Sequence, residues 1–432
     1  MTAAPASLTA RLSQARSRLG PGMLPVAVGI LLQGASQYVF LAVVARALGP
    51  LLDAVFAAFW SLLSVVGPGL MAPLEQVTGR AIAARLARHL GSRSLVLRAA
   101  AMTGLLTVAV VVLCGALAPW LIGRGFHGNA ILLPVFMLGV AAFGLHFLAR
   151  GILAGHGRFV AYGTLLTFDG LFRVALCLAF LLAGLRSPAA YGLAIVLGSA
   201  LAASIFCGIA PRHWVASQPA AWSELSSPLR LSYLLGGSLV LQFLVSVGAF
   251  AVQVLANAQQ QTAAARFLSS RVIAFIPLFL FLAVVAPLLP RLSALAALRD
   301  GPGFSRVLRQ HVVLAFAMGG VTIAGAAVLG PLGSRILFGS GFELAPLDFA
   351  LLGAASAGLM LGQVLAAALI ALRHFGRAAV VWLIGAVAFF VVIAAVPSLF
   401  LRVELALVAG AAVACLAMAL MVRRSALEAS PA

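Results

Sequence analysis

Two ionisable residues lie deep within one apolar stretch of the sequence. Asp169 and Arg173 stand four positions apart in the run TFDGLFRVAL. This spacing places both side chains on one face of a helix, where they can pair. The guanidinium of Arg173 also suits the oxygens of a phosphate or an acidic sugar. The pair therefore predicts either an anion-binding wall of a cavity or a structural ion pair that neutralises itself.

Other polar residues interrupt apolar stretches in the same way, and each is a candidate because polar groups are costly inside a membrane. These candidates are Gln33, Gln37, Arg46, Gln242, Gln253, Asn257 and Arg271. The glutamines predict either a sugar-facing stripe or hydrogen bonds between helices. Arg46 predicts a ligand or a residue that snorkels to the membrane interface. Arg271 has no acidic residue near it in sequence, which favours an anionic ligand, a water-filled cavity or a distant carboxylate.

The composition places these residues in a membrane protein. Hydrophobic residues make up 63% of the 432-residue chain and charged residues 9%, against about 25% charged residues in soluble domains. The formal net charge is +19, and all 28 basic residues are arginines. They are spread over short loops, which argues against nucleic-acid binding. The four cysteines lie in apolar runs without metal-type spacing, so neither a metal nor a disulfide is expected.

Twelve apolar stretches of about 20 residues are each long enough to cross a bilayer as a helix. We predict spans 1 to 12 at residues 23–47, 52–74, 97–122, 130–153, 160–184, 190–210, 230–256, 263–289, 307–330, 344–371, 377–400 and 403–422. A polar linker at 211–229 separates an N-lobe at 23–210 from a C-lobe at 230–422. Tails at 1–22 and 423–432 flank them.

The arginines predict the orientation of the spans. When arginines at span ends are counted with the adjoining connection, twenty of the 28 belong to the two tails and the even-numbered connections, six belong to the odd-numbered connections, and two lie deep within spans. Because basic loops stay on the cytoplasmic side, both termini are predicted to be cytoplasmic. The expected location is the inner membrane of a cell.

The two halves carry similar signals in the same order. Gly125-Phe126 corresponds to Gly341-Phe342, and Gly157-Arg158 corresponds to Gly376-Arg377. Each half also has a basic loop after its second span, predicted at 79–98 and 291–309. Prolines in spans 2 and 8 predict paired helix bends. Parallel repeats of this kind are typical of transporters with a site between two lobes.

Three motifs carry a resemblance to a known family. They are ARALGP at 45–50, SSRVIAFIPLFLFLAVVAPLLPRLS at 269–293, and FGSGFE at 338–343 followed by a long helix. Together they resemble the multidrug/oligosaccharidyl-lipid/polysaccharide (MOP) exporter superfamily, and the length is most similar to Wzx-type polysaccharide flippases. The resemblance implies an all-α integral membrane protein with twelve transmembrane helices. Its two six-helix lobes would form a V-shaped central cavity and work by alternating access.

The function implied is translocation of a glycan linked to a polyprenyl (pyro)phosphate, with the lipid bilayer and polysaccharide-assembly proteins as partners. Arg173, Arg271 and Arg46 are the residues expected to contact its anionic groups. A MATE-like multidrug exporter and a lipid II flippase remain alternatives, as do a membrane-embedded glycan polymerase or glycosyltransferase and a non-transporting scaffold. The sequence contains no GxxxxGK[ST] motif, so we expect that this chain does not drive transport with ATP. The odd-numbered connections are only a few residues long and their acidic residues are scattered, so we expect neither an enzyme nor a cofactor.

Overall fold

The computed structural model describes residues 23–86, 88–209, 219–225, 227–285, 288–372 and 374–428, and these are helical with short connections. The tail at 1–22 and residues 211–218 of the linker lie outside the described residues. Spans 1 and 2 share the helical stretch Met23–Leu86, and span 3 is Arg93–Ala116, extended by Ala118–Trp120 and Leu121–Gly125. Spans 4 to 6 are Leu132–Gly155, Phe159–Leu182 and Pro188–Ile209.

The C-lobe follows a short linker helix, Trp222–Leu225. Span 7 comprises Pro228–Ser246 and Gly248–Leu255, and span 8 comprises Ala263–Ala274 and Ile276–Val285, with Leu288–Ala297 after it. Spans 9 to 12 are Gly301–Phe338, Pro346–Ala371, Phe375–Ala395 and Leu399–Glu428.

The stretch Met23–Leu86 is a hairpin of two spans. Gly49 has φ 68° and ψ 169°, a conformation that favours glycine, and Pro50 follows it. The rings of Phe40 and Trp60 lie 6.3 Å apart, whereas 20 residues of unbroken helix would cover about 30 Å. The chain therefore folds back at Gly49.

Twelve spans result within the described residues. Ten helices are long and apolar enough to cross a membrane, and the first of them is the hairpin that supplies two spans. A further span comes from Ala263–Ala274 and Ile276–Leu282, which meet at a 44° bend. Pro277 lies directly after this bend, as the sequence predicted. Span 2, in contrast, keeps helical dihedral angles at Pro68 and Pro73, and Pro287 lies outside the described residues.

The predicted basic loops at 79–98 and 291–309 are wrong in extent. Helix continues to Leu86 and resumes at Arg93, and in the second half it continues to Ala297 and resumes at Gly301. These stretches are rich in Ala, Leu and Arg, which are strong helix formers. Their charge therefore lies on helix ends rather than on long loops.

The helices form two lobes that meet mainly at the first hairpin. Spans 1 and 2 contact spans 4, 5 and 6 within the N-lobe. They also contact spans 7 and 8 of the C-lobe, and we call this boundary between the lobes the seam. The linker lies against one end of the N-lobe, where Glu224 pairs with Arg85 at 2.7 Å and the guanidinium of Arg98 lies 5.1 Å from the Trp222 ring. We call this end of the bundle the linker face.

Candidate functional site

A cavity of about 210 Å³ lies on the seam between the lobes. Its N-lobe wall consists of Gln33, Gln37, Trp60, Ser64, Pro68, Phe143, His146, Phe147, Arg150, Asp169 and Arg173. Its C-lobe wall consists of Gln242, Val245, Ser246, Arg271 and Phe279. The structure thus brings together six of the nine residues that the sequence singled out, although they come from four spans in both lobes.

The seam widens towards the linker face. A second cavity of about 380 Å³ extends past Pro73 and Leu241, and a third of about 710 Å³ is lined by Gln76, Arg80 and Arg230. These residues follow one another along spans 2 and 7, so the three cavities lie in sequence from the first one to the linker face. The arrangement gives the pair of lobes its V shape.

On the opposite face the lobes touch each other. The rings of Trp120 and Phe250 lie 6.0 Å apart, and Gln253 hydrogen-bonds to His127. Arg46 donates to the carbonyl oxygens of Ile336 and Leu337 at the end of span 9. The seam is therefore open at the linker face and closed at the opposite face.

Asp169 is held by three donors from three spans. Gln33 Nε2 and Arg173 Nη2 donate to Asp169 Oδ2 at 2.7 and 2.8 Å, and Ser199 Oγ donates to Asp169 Oδ1 at 2.6 Å. The carboxylate is 1% exposed. Because both oxygens are engaged and Arg173 balances the charge, Asp169 is poorly placed to bind a cationic cargo.

Glycines allow span 1 to approach span 5 closely enough for this contact. A Cβ at Gly163 would lie 2.1 Å from the carbonyl oxygen of Pro25, and one at Gly170 would lie 2.0 Å from Ser36 Oγ. Glycine lets the two backbones approach at Gly163, and at Gly170 it leaves room for the Ser36 side chain. The close packing places Gln33 directly opposite Asp169.

Arg173 faces both the ion pair and an aromatic ring. It is buried, and its guanidinium carbon lies 5.9 Å from the centre of the Trp60 ring. Arginine is attracted to the face of an aromatic ring, so Trp60 fixes the side of Arg173 that Asp169 does not hold. The self-neutralising pair that the spacing predicted is present, and it forms part of the cavity wall.

Arg271 has a different environment. It is 5% exposed, its Nη1 donates to the carbonyl oxygen of Val245 at 2.9 Å, and it forms no ion pair among the described residues. Its Nε has no hydrogen-bond partner there. The buried Tyr38 hydroxyl, from span 1, lies within electrostatic range and also lacks a partner in the described chain. A buried, uncompensated guanidinium at a cavity wall favours an anionic ligand.

Three predicted site residues do not line this cavity. Arg46 and Gln253 lie at the closed face, where they bridge the lobes, and Arg46 is exposed. Asn257 follows the end of span 7 at Leu255 and accepts a hydrogen bond from the backbone of Gln259 at 3.1 Å. These three residues are separated from the cavity because the seam is closed at the face opposite the linker face.

Two cavity residues on span 4 were not among the candidates that the sequence singled out. His146 is 2% exposed, and Arg150 pairs with Glu75 at 3.1 Å while donating to the Tyr162 hydroxyl. The signal was present, because Phe143, His146, Phe147 and Arg150 have the spacing of one helical face. Both residues lie in the half of the predicted span 4 that is nearer its end at residue 153, and the structure shows that the cavity reaches this depth.

Comparison with known proteins supports the fold. No family model matches the chain. Two uncharacterized proteins of Mycobacterium tuberculosis, MT1558/MT1560 of strain CDC 1551 / Oshkosh and Rv1510 of strain ATCC 25618 / H37Rv, are each 31% identical over 205 residues, which is 47% of this chain. The matched stretch covers 44% of each relative, so the chain spans less than half the length of these proteins in the match.

Solved structures match almost the whole chain. An inward-facing multidrug resistance MATE family transporter of the MOP superfamily has a TM-score of 0.74 at 16% identity, covering 94% of this chain and 98% of that one. A MOP superfamily transporter from Pyrococcus furiosus, described by the reverse polarity of its binding pocket, has a TM-score of 0.70 at 16% identity, covering 95% and 96%. The outward-facing conformation of a MATE family transporter has a TM-score of 0.67 at 16% identity, covering 95% of each chain. The chain therefore has the twelve-helix, two-lobe fold of the MOP superfamily.

Proposed function

We propose that this protein moves a lipid-linked oligosaccharide across the cytoplasmic membrane by alternating access. One observation carries the proposal, namely that Arg271 is buried at the cavity wall without a carboxylate partner among the described residues. Both carboxylate oxygens of Asp169, the acidic residue of the same cavity, already accept hydrogen bonds. The balance of charge favours an anionic cargo, and the diphosphate between a polyprenyl chain and its glycan is such a group.

The orientation follows from the arginines. The linker face carries the ends of the spans that are flanked by most of the arginines, so it is taken as cytoplasmic. The seam is open there, and a headgroup made in the cytoplasm would enter from that side. Rocking of the lobes would then break the Trp120–Phe250 and His127–Gln253 contacts and release the headgroup on the opposite face. Polysaccharide-assembly proteins would supply and receive the cargo.

A multidrug exporter is the second candidate, because the structural matches include MATE transporters. A cationic drug would need a carboxylate that is free to bind it. Asp169 is held by three donors, and Glu75 is held by Arg150 and Tyr162. The polarity of the cavity therefore favours the anionic cargo.

The test compares a deletion strain with strains that express variants. Polyprenyl-linked lipids are identified by mass spectrometry, and the surface polymer is measured alongside. We expect Arg271→Gln to reach the membrane at normal levels and to accumulate a lipid-linked glycan with loss of one polymer. Arg271→Lys keeps the charge and should retain part of the activity. Arg335→Gln is the matched control, because Arg335 is 72% exposed on the opposite face.

Two results would contradict the proposal. If the deletion strain keeps its lipids and polymer but becomes sensitive to cationic drugs, the protein is a multidrug exporter. If the Arg271→Gln strain makes normal polymer, Arg271 does not bind the cargo.

A further inference from the structure

His146 is a buried imidazole in the cavity wall that the proposed function does not use. It is 2% exposed, lies on span 4, and lines the cavity that contains Arg271. Its Nδ1 has no hydrogen-bond partner among the described residues. The ionisable groups whose charges reach it are Asp169 and Arg173 on span 5 and Arg150 on its own span.

Each of these neighbours is already paired. Asp169 pairs with Arg173 at 2.8 Å, and Arg150 pairs with Glu75 at 3.1 Å. Neither carboxylate is therefore available to compensate a charged imidazole in the empty cavity. Burial disfavours the charged form further, so His146 stands neutral in the wall until another negative charge enters.

The charges of the cavity can be compared with those of the cargo. The two ion pairs cancel, which leaves Arg271 as the single uncompensated positive charge among the described residues that line the cavity. The diphosphate of a lipid-linked sugar is a diester with two negative charges at neutral pH. Arg271 balances one of them, and a proton on His146 would balance the other.

We propose that His146 takes up one proton when a diphosphate diester enters the cavity, so that cargo and proton bind together. This inference rests on the proposed function, because it needs an anionic cargo. The proton adds to a ring nitrogen of His146 from solvent and is released to solvent when the cargo leaves. No covalent bond of the cargo changes.

Linkage then gives the affinity a defined dependence on pH. Binding that requires one extra proton weakens by up to about tenfold for each unit of pH rise. The affinity depends on pH over the range in which His146 is neutral in the unliganded protein and charged in the complex. At lower pH, where both forms are charged, the affinity becomes constant.

The test uses the full-length protein in detergent and a short-chain prenyl-diphospho-N-acetylglucosamine as the probe. Both phosphates of this diester remain ionised between pH 6 and 8.5, so any proton taken up belongs to the protein. Isothermal titration calorimetry in buffers of different ionisation enthalpy counts the protons bound. We expect the wild type to take up close to one proton more than His146→Gln, whose affinity should be nearly independent of pH.

Two further variants separate a binding role from a structural one. His146→Arg supplies a permanent charge, because a guanidinium stays protonated even when buried, and it should bind without pH dependence, at about the affinity of the wild type at low pH. His156→Gln is the matched control, because His156 lies at the end of the same span, bonded to Ser92 outside the cavity. It should behave as the wild type does.

The outcomes are distinguishable. If His146→Gln binds the probe with the same pH slope and proton count as the wild type, the inference is overturned and the proposed function stands. If His146→Arg keeps the wild-type slope, the titrating group is another residue and the inference is likewise overturned. If the wild type does not bind the probe, the proposed function fails and the proton-linked inference fails with it.

Discussion

Gln33 and Asp169 are 136 positions apart in the chain, yet Gln33 Nε2 donates to Asp169 Oδ2 at 2.7 Å. The contact joins span 1 to span 5 in the wall of the cavity. With the bonds from Arg173 and Ser199, it turns a carboxylate that could serve as a cation site into a fixed part of the N-lobe. The uncompensated charge of the cavity then lies on the C-lobe, at Arg271.

The Asp169–Arg173 pair should be essential for stability. Asp169→Asn leaves Arg173 buried without a counter-charge, which costs about 3–5 kcal/mol when one partner of a buried pair is lost. We expect a clearly lower midpoint of thermal unfolding in detergent. The double change Asp169→Leu with Arg173→Leu should recover most of the loss, since removal of both charges is often neutral.

Glu343→Gln is the control for this comparison. It removes the partner of an exposed ion pair with Arg335, whose N and O atoms lie 3.7 Å apart. Such pairs contribute at most about 1 kcal/mol. Equal midpoints for Asp169→Asn and Glu343→Gln would show that the buried pair does not stabilise the fold.

Packing of span 1 on span 5 should depend on glycine at position 163. A Cβ there would lie 2.1 Å from the carbonyl oxygen of Pro25, so Gly163→Ala must push span 1 away from Asp169. We expect lower stability and loss of transport. Gly34→Ala, on span 1 with no atom within 4 Å of the added Cβ, should be neutral or stabilising by up to about 1 kcal/mol. Normal transport in Gly163→Ala would contradict the packing.

A cross-link across the closed face should stop transport. His127→Cys with Gln253→Cys, in a background without the native cysteines, replaces two side chains that touch across the seam. A short bifunctional thiol reagent with a cleavable spacer should hold the lobes together there, and cleavage of that spacer should restore activity. Ser92→Cys with His156→Cys joins side chains 3.0 Å apart within the N-lobe and should have no such effect. Transport by the cross-linked His127–Gln253 variant would rule out opening at this face.

The linker should release from the N-lobe at low pH. A hydrogen bond from the Ala221 backbone, followed by one from Arg85, lowers the pKa of Glu224 from its ordinary value near 4.5. The contact therefore stabilises the linker fully above that ordinary pKa, and this stabilisation is lost as the pH falls through the depressed value. The protection factors of residues 219–225 against hydrogen exchange, which are corrected for the intrinsic pH dependence of exchange, should fall below about pH 4.5. In Glu224→Gln the protection factors should be lower at neutral pH and should not change between pH 7 and 4; an unchanged wild-type profile of protection would contradict this role.

The fold could be predicted well from the sequence because its signals are local. Apolar length predicted the twelve spans, and the spacing of Asp169 and Arg173 predicted their ion pair. The donors from Gln33 and Ser199 could not be predicted in the same way, since they depend on the packing of spans that are distant in sequence. The glycines at 163 and 170 that permit this packing gave no distinctive pattern in a chain with 43 glycines.

Which residues of the seam line the cavity depends on the conformation of the two lobes and cannot be predicted from the sequence. Gln253 and Arg46 are polar residues of the seam, as expected, but the seam is closed where they lie. His146 and Arg150 line the cavity because the seam stays open at their depth. A sequence predicts which residues face the partner lobe, whereas the angle between the lobes decides which of them meet water.

The close contacts at Gly163 and Gly170 also bear on how this protein could diverge. Glycine packed against the carbonyl oxygen of Pro25 leaves almost no freedom for a side chain at position 163, so the contact between spans 1 and 5 would resist change in any descendant. On the facing wall, side chains such as those of Gln242, Ser246 and Phe279 line the cavity, so a substitution there changes the cavity lining. Homologues that have acquired different cargoes should therefore vary on spans 7 and 8 while keeping Gly163, Gly170 and Asp169.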